Sequence, residues 1–131
     1  MQDEIEQFFR SYCAAYNRLD PSGVSAHVAL PCILVARDSA IWTTREQVHA
    51  NMARLVARYR KNGFEQADCA LANLKLPGRD EAVADVLWTI RRGAQAPWSF
   101  HTGYNLHRFA DGWRIVLCTA YEEERVRDDE G

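Results

Sequence analysis

The sequence predicts an α+β fold in which helices come first and an antiparallel sheet follows. Two observations predict it. In two segments of the first half, apolar residues recur at spacings of three and four, which is the period of an amphipathic helix. After residue 65, strand-like segments follow one another, separated by turn sequences such as "PGRD" and "ADG". This arrangement is typical of a sheet with one face covered by helices.

The composition is that of one soluble globular domain, and we expect residues 1–131 to form a single domain. Hydrophobic residues make up 47% and charged residues 26% of the chain. The net charge of -2 and the scattered arginines argue against a nucleic-acid partner. The acidic start "MQDEIEQFF" and the lack of a long apolar run predict no secretory signal and no membrane partner, so we expect a cytoplasmic protein.

Two consecutive helices are predicted at the start of the chain. Residues 3–19 carry an apolar stripe at helical spacing, formed by Ile5, Phe8, Phe9, Tyr12, Cys13, Tyr16 and Leu19. Asp20 and Pro21 are suited to the N-cap and first position of a short second helix. We expect this helix to run to about Ala29 and to end before Pro31.

A strand and a third helix follow. The branched residues of "CILVARD", 32–38, predict a strand that continues irregularly to Trp42. Either Thr43 with Glu46 or Thr44 with Gln47 forms a capping box for the third helix, which ends at "KNG". The predicted order is therefore helix, helix, strand, helix and then four strands: 65–76, 81–92, 98–109 and 113–121.

The turn "ADG" leaves two registers open for the last two strands. A three-residue connection places Phe109 opposite Trp113, and the inward row then continues as Ile115, Leu117 and Thr119. A two-residue "DG" connection instead turns inward Arg114, Val116 and Cys118. We favour the first because it keeps the Arg114 guanidinium away from the interior.

The strand 98–109 has two unlike sides. One carries Trp98, Phe100, Tyr104 and Leu106, and the other carries Ser99, His101, Asn105, His107 and Phe109. We expect the second side to face the helices and to line an apolar small-ligand cavity, because such cavities hold a few fixed polar groups that orient a ligand. Both sides carry too many apolar residues to be exposed to water alone. We therefore also expect a homodimer that forms through the face of the sheet that points away from the helices.

No pattern in the sequence predicts a metal site or a cofactor. The four cysteines, Cys13, Cys32, Cys69 and Cys118, are far apart and predict buried reduced thiols. The histidines show no ligand spacing, and no glycine-rich loop is present to bind a phosphate.

Residues 3 to about 122 resemble the nuclear transport factor 2-like superfamily, which includes SnoaL-like polyketide cyclases and ketosteroid isomerases. The resemblance rests on the element order and on the terminal "LHRFADGWRIVLC". It implies a cystatin-like, cone-shaped α+β barrel in which a curved sheet wraps around the helices. It also implies an apolar cavity at the open end and, commonly, a dimer.

The resemblance to ketosteroid isomerases implies three catalytic residues. In "RSYCAAYNRLD", Tyr12 stands at the place of the tyrosine that donates to the enolate oxygen. In "YNLHRF", Asn105 stands where the isomerases have a donor aspartic acid, and an amide is the weaker donor. Asp38 lies near the place of the proton-transferring aspartate, offset by one inserted residue.

Two functions remain open. The first is acid–base isomerase or cyclase chemistry without a cofactor, with Asp38, Tyr12 and Asn105 as catalytic residues. The second is a non-catalytic ligand-binding or dimerisation module, in which these residues are structural. In either case we expect a small apolar or aromatic ligand, and we expect it to contact Tyr16, Trp42, His107 and Phe109. Asp85 has no predicted role beyond an exposed strand position.

Overall fold

A computed structural model describes residues 2–36 and 39–120 and confirms the predicted α+β order. The helices are α1 (Gln2–Asn17), α2 (Pro21–Ser25) and α3 (Arg45–Lys61). The strands are β1 (Val28–Val35), β2 (Ala40–Trp42), β3 (Gln66–Gly78), β4 (Glu81–Arg92), β5 (Gln95–Phe109) and β6 (Gly112–Thr119).

The strands form one six-stranded sheet in the order β2-β1-β6-β5-β4-β3. The predicted meander of β3 to β6 is antiparallel throughout. The sheet as a whole is mixed, however, because β1 pairs with β6 in parallel. A hairpin cannot join two parallel strands, and here α3 and the meander supply the long connection that a parallel contact requires. The curved sheet is open, with β2 and β3 at its edges.

The second helix is shorter than predicted. It ends at Ser25, and Val28 and Ala29 already belong to β1. Pro31 lies inside this strand, where the register with β6 shifts between Val28 and Ile33. Proline has no backbone N–H and is tolerated in a sheet where the hydrogen-bond ladder is interrupted.

Of the two predicted capping boxes at the start of α3, the one formed by Thr44 and Gln47 is present. The Thr44 side chain accepts a hydrogen bond from the Gln47 backbone N–H at 3.2 Å, and Gln47 Oε1 accepts from the Thr44 backbone N–H at 3.1 Å. Such an N-cap contributes about 1 kcal/mol. Arg45 then donates to the backbone carbonyls of Ser25 and Val28, at 2.5 and 2.9 Å, and ties α3 to the α2–β1 connection.

The core lies between the helices and one face of the sheet. On β5 this inner face is formed by the buried side chains of Trp98, Phe100, Thr102, Tyr104 and Leu106. The prediction that Asn105, His107 and Phe109 face the helices is therefore wrong. Burying an aromatic or leucine side chain stabilises the fold by roughly 1.5–3 kcal/mol, whereas burying an amide or imidazole requires a compensating partner. The more apolar of the two rows consequently faces inward.

The outer face of the sheet carries polar pairs between β4 and β5. His101 Nδ1 lies 2.9 Å from Asp85 Oδ1, and His107 Nδ1 lies 2.8 Å from Glu81 Oε1. Asp85 is thus a half-exposed partner of an imidazole, which accounts for a carboxylate inside an apolar strand. Beside these pairs runs an in-register row across all six strands, here called the outer row: Ile41, Ile33, Leu117, Asn105, Val83 and Lys75.

The β5–β6 hairpin has a two-residue connection that differs from both predicted registers. Phe109 pairs with Gly112, so Ala110 and Asp111 form the turn. Gly112 has φ +122, a conformation that side-chain-bearing residues rarely adopt. Ile115 faces inward as predicted, but the register then shifts, so that Cys118 faces the interior in place of Leu117 and Thr119. Arg114 pairs with His107 on the outer face, away from the interior, as expected.

Within the described part of the chain, no helix combines the length and the hydropathy that a bilayer crossing requires.

Candidate functional site

A cavity of about 760 Å³ lies between the helices and the inner face of the sheet. Its helical wall is formed by Tyr12 and Tyr16 of α1 and by Asn51, Met52, Arg54, Leu55, Arg58 and Tyr59 of α3. Its sheet wall is formed by Val28, Cys32, Leu34, Trp42, Trp88, Phe100, Thr102, Tyr104, Ile115 and Cys118, and its remaining lining by Ala36, Ser39, Ala40 and Ala120. The cavity is therefore rich in aromatic rings, with polar groups among them.

Three buried tyrosines, here called the tyrosine cluster, meet at the inner end of this cavity: Tyr12, Tyr16 and Tyr104. Tyr12 and Tyr16 are four residues apart on α1, which places them on one helix face, and their ring centroids are 5.1 Å apart. Tyr104 comes from β5, with its ring centroid 5.8 Å from that of Tyr12. One helix and one strand thus direct three hydroxyl groups toward the same space.

The hydroxyl groups of the cluster are held with unequal strength. The Trp88 indole N–H donates to the Tyr104 hydroxyl at 3.0 Å, a distance of good hydrogen-bond geometry. The Tyr12 and Tyr16 hydroxyls are 3.4 Å apart, and the Tyr16 hydroxyl lies 3.9 Å from the Met52 sulfur. These two contacts are long, so the hydroxyls of Tyr12 and Tyr16 are the ones best able to exchange partners.

Burial keeps the tyrosine cluster protonated. Desolvation is the largest cause that raises the pKa of Tyr12, Tyr16 and Tyr104 well above the usual value of 10.0. Near neutral pH each of them is therefore a neutral hydrogen-bond donor and not a base. Such donors stabilise an oxygen that carries, or develops, negative charge.

The α3 side of the cavity adds polar groups. Asn51 is half-buried, Arg54 is exposed and Arg58 is half-buried. No carboxylate or histidine occurs among the described lining residues. Across residues 2–36 and 39–120, no three histidine, cysteine, aspartate or glutamate side chains come together as a metal site.

The structure separates the residues predicted to form the site. Tyr12, Tyr16 and Trp42 line the cavity. Asn105, His107 and Phe109 lie on the opposite face of β5, where His107 pairs with Glu81 and Phe109 is 40% exposed. These three were predicted to contact a ligand from the inner face, and that placement is wrong because β5 turns its alternate row inward. Asp38 lies outside the described residues.

Several cavity residues were missed by the sequence analysis, notably Tyr104, Trp88 and Arg58. The signal for Tyr104 was present, since it alternates in step with Phe100 and Leu106, the most apolar side of the strand. Arg54 and Arg58 are one helical turn apart, so the sequence predicts that they lie on the same face of α3. It does not predict that this face borders a cavity.

The chain is similar in fold to several solved structures. A domain of unknown function with a cystatin-like fold from Nostoc punctiforme superposes with a TM-score of 0.76 at 16% identity, covering 98% of this chain and 83% of that one. An NTF-2 like protein of unknown function from Shewanella oneidensis gives 0.74 at 15% identity, covering 92% and 98%. A ketosteroid isomerase-like protein from Erwinia carotovora atroseptica gives 0.67 at 17% identity, covering 91% and 93%.

No curated protein matches the sequence. At identities below 20%, the three structural similarities establish the cystatin-like fold and nothing about activity. Residues 3–123, nearly the whole chain, match the family described as NTF2-like protein (DUF6841), and the protein therefore belongs to this nuclear transport factor 2-like family.

Proposed function

We propose that the protein binds a small, mainly apolar molecule in the cavity, and that the ligand carries an aromatic ring and an oxygen acceptor. The observation that carries this proposal is the tyrosine cluster: three buried, neutral hydroxyl groups directed at a cavity of about 760 Å³. Ligand cavities are typically about 300–1,000 Å³ and combine apolar walls with polar groups that orient the ligand, and the volume of this cavity lies within that range.

The chemistry of the lining supports each part of this ligand. Aromatic rings from Trp42, Trp88 and Phe100 favour a planar ring, which they can contact by edge or by offset stacking. The 3.4 Å contact between Tyr12 and Tyr16 is long, so a ligand oxygen at normal hydrogen-bond distance competes well with it. A carbonyl or phenolic oxygen is the acceptor that fits two neutral hydroxyl donors.

A melting-shift screen with planar ketones and polycyclic phenols tests the binding proposal. A ligand that binds only the folded state raises the melting temperature, and the rise grows with the logarithm of the ligand concentration relative to its dissociation constant. We expect Tyr16→Phe, which removes one cavity hydroxyl, to reduce the shift of the best compound. Ser99→Ala, on the outer face of β5 and outside the outer row, is the matched control and should keep it. Equal shifts in the two variants, or no shift from any compound, would refute the proposal.

Acid–base isomerisation is a second candidate. Tyr12 is a neutral donor in the cavity, and its place on α1 resembles that of the isomerase donor tyrosine. Ala36 and Ser39, on either side of Asp38 in sequence, line the same cavity. In this candidate Asp38 moves the proton and Tyr12 stabilises the enolate oxygen, with no part for Asn105. Turnover of a bound ketone that is lost in Asp38→Asn, while binding persists, would support it over binding alone.

We further propose that the protein forms a homodimer through the outer row. This row crosses the whole sheet, and three of its four apolar members are exposed, with Ile41 at 64%, Ile33 at 44% and Val83 at 39%, while Leu117 is half-buried. A second copy would remove these side chains from water. We expect sedimentation to show a dimer for the native chain and a monomer for Val83→Glu. Ser99→Glu, on the same face but outside the row, should remain a dimer. A native monomer would contradict this proposal.

We also propose a cytoplasmic location for the protein, which its cysteines support. None of the four forms a disulfide in the described chain, and Cys32 is buried while Cys13, Cys69 and Cys118 are half-buried. Reduced thiols persist in the reducing cytosol.

A further inference from the structure

A second groove, of about 710 Å³, opens where α1, the α2–β1 connection and β6 meet. It is lined by Asp3, Glu4, Gln7, Phe8, Ser11, Ala26, His27, Trp113 and Arg114. It shares no lining residue with the cavity of the tyrosine cluster. Its contents differ too, because it contains a serine hydroxyl and an imidazole in contact.

The hydrogen bonds of His27 define which ring nitrogen carries the proton. Nδ1 lies 2.8 Å from the carbonyl oxygen of Gly23, and Nε2 lies 2.9 Å from the Ser11 hydroxyl oxygen. A carbonyl oxygen only accepts, so Nδ1 must carry the hydrogen and the Nε2 lone pair must point at Ser11. The Ser11 hydroxyl therefore donates to Nε2. This is the arrangement of a nucleophile, its base and a group that orients the base.

The surroundings keep the imidazole in its neutral form. Burial is the largest influence on the pKa of His27 and lowers it below the usual value of 6.5. The hydrogen bond to the Gly23 carbonyl raises this pKa, but by less. The Arg114 guanidinium adds to the lowering. At neutral pH the ring is consequently able to take a proton from Ser11. The Ser11 side chain itself is exposed in the groove and accessible to a substrate.

A donor for a developing oxyanion is available one helical turn away. Gln7 precedes Ser11 by four residues on α1, which places the two side chains on the same helix face. Gln7 Oε1 accepts from Arg10 at 3.1 and 3.3 Å. Gln7 lines the groove, and within the described residues its amide N–H₂ donates to no other group. A side-chain amide of this kind is one of the groups that stabilise tetrahedral intermediates.

From this geometry we propose that Ser11 and His27 form a nucleophilic dyad that accepts an acyl group from a small ester, with the Gly23 carbonyl orienting His27 and the Gln7 amide stabilising the oxyanion. The carboxylate of Glu4 accepts from the Trp113 indole and from Arg108, and Arg114 contacts Asp111. With the charges of Glu4 and Arg114 paired, and with Asp3 as a further carboxylate of the lining, the groove fits a substrate that carries no negative charge. The Phe8 and Trp113 rings favour an aryl ester.

The proposed step balances without an added oxidant or cofactor. Ser11 Oγ attacks the ester carbonyl carbon as its proton moves to His27 Nε2, and the carbonyl oxygen becomes the oxyanion. The tetrahedral intermediate collapses, the carbon–oxygen bond to the alcohol breaks, and His27 returns the proton to that leaving oxygen. Water then hydrolyses the acyl-serine with the same base, releasing the carboxylic acid and the free serine.

The test uses the intact chain with p-nitrophenyl acetate. We expect release of nitrophenol, a mass gain of one acetyl group, and an acetyl group mapped by peptide analysis to Ser11. Ser11→Ala should abolish the mapped adduct, and His27→Gln should slow acylation by about 10²–10⁴-fold. Gln7→Leu should slow acylation while leaving the histidine in place. Ser22→Ala, an exposed serine of α2, is the matched control and should acylate like the native chain.

A fluorophosphonate probe on the native protein gives a result that requires no variant. Modification of Ser11 in preference to the other serines supports the dyad. An adduct on any other residue, or equal acylation rates for the native chain and His27→Gln, would overturn it. Because the groove and the cavity share no lining residue, acylation and the melting shift report on different sites, and failure of one proposal does not decide the other.

Discussion

Replacement of Tyr104 by phenylalanine tests the hydrogen bonding of the tyrosine cluster most directly. The variant keeps the ring and removes only the hydroxyl that accepts the Trp88 indole N–H at 3.0 Å. Trp88 and Tyr104 are 4% and 3% exposed, so the indole N–H would be left buried without this acceptor. An unsatisfied buried donor costs about 1–3 kcal/mol. For a domain of this size that lowers the melting temperature by roughly 4–12 °C.

The matched control is Tyr12→Phe, which loses a hydroxyl from the same cluster. Its 3.4 Å contact with the Tyr16 hydroxyl is long, and we expect a smaller loss of stability, about 0.5–1 kcal/mol. Urea unfolding followed by tryptophan fluorescence measures both variants against the native chain. If Tyr104→Phe unfolds at the native urea concentration, or if Tyr12→Phe is the less stable of the two, the description of the cluster is incorrect.

Three further predictions follow from pKa shifts. Burial raises the pKa of the tyrosine cluster above 10.0, so its stabilising effect is present below that pH and is lost as the pH rises above it. An absorbance titration at alkaline pH should show these tyrosines ionising only on unfolding, and ionisation of all tyrosines near 10 would contradict this. Burial lowers the pKa of His27 below 6.5, so the unfolded chain binds the proton more tightly, and stability should fall as the pH decreases through 6.5. Denaturation from about pH 8 to 5 should show a shallower fall in His27→Gln, and identical slopes would count against the shift. The Cys69 side chain, by hydrogen bonding, lowers the pKa of Cys13, whereas burial raises that of Cys32 to about 11. Iodoacetamide at neutral pH should therefore modify Cys13 first in timed peptide mapping, and earlier modification of Cys32 would be inconsistent with these environments.

The element order was predictable because it depends on local patterns. The apolar stripe of α1 contains Ile5, Phe9 and Tyr12, which are buried in the structure as its period predicts. Two of the predicted cavity residues on helices, Tyr12 and Tyr16, follow from this stripe, since a residue on the buried face of a helix must contact whatever lies beneath it. The family resemblance was recognisable for the same reason, as it rests on the order of these elements.

Residues on β5 were harder to place. Alternation divides the strand into two rows, but the division is the same whichever row faces the helices. Both rows contained aromatic residues, and the polar members Asn105 and His107 were taken as cavity groups. The structure satisfies His107 with Glu81 across the strand pair, a partner 26 residues away that periodicity does not reveal.

The sequence by itself determined which segments are helices and strands, because spacing, caps and turn residues act over a few positions. Tertiary structure alone decided which face of β5 turns inward, the parallel contact of β1 with β6, and the meeting of Ser11 with His27. These features depend on how much apolar surface each possible packing removes from water, and on which distant polar groups then find partners. The free energy of these contacts depends on the whole molecule, so a local sequence pattern does not predict it.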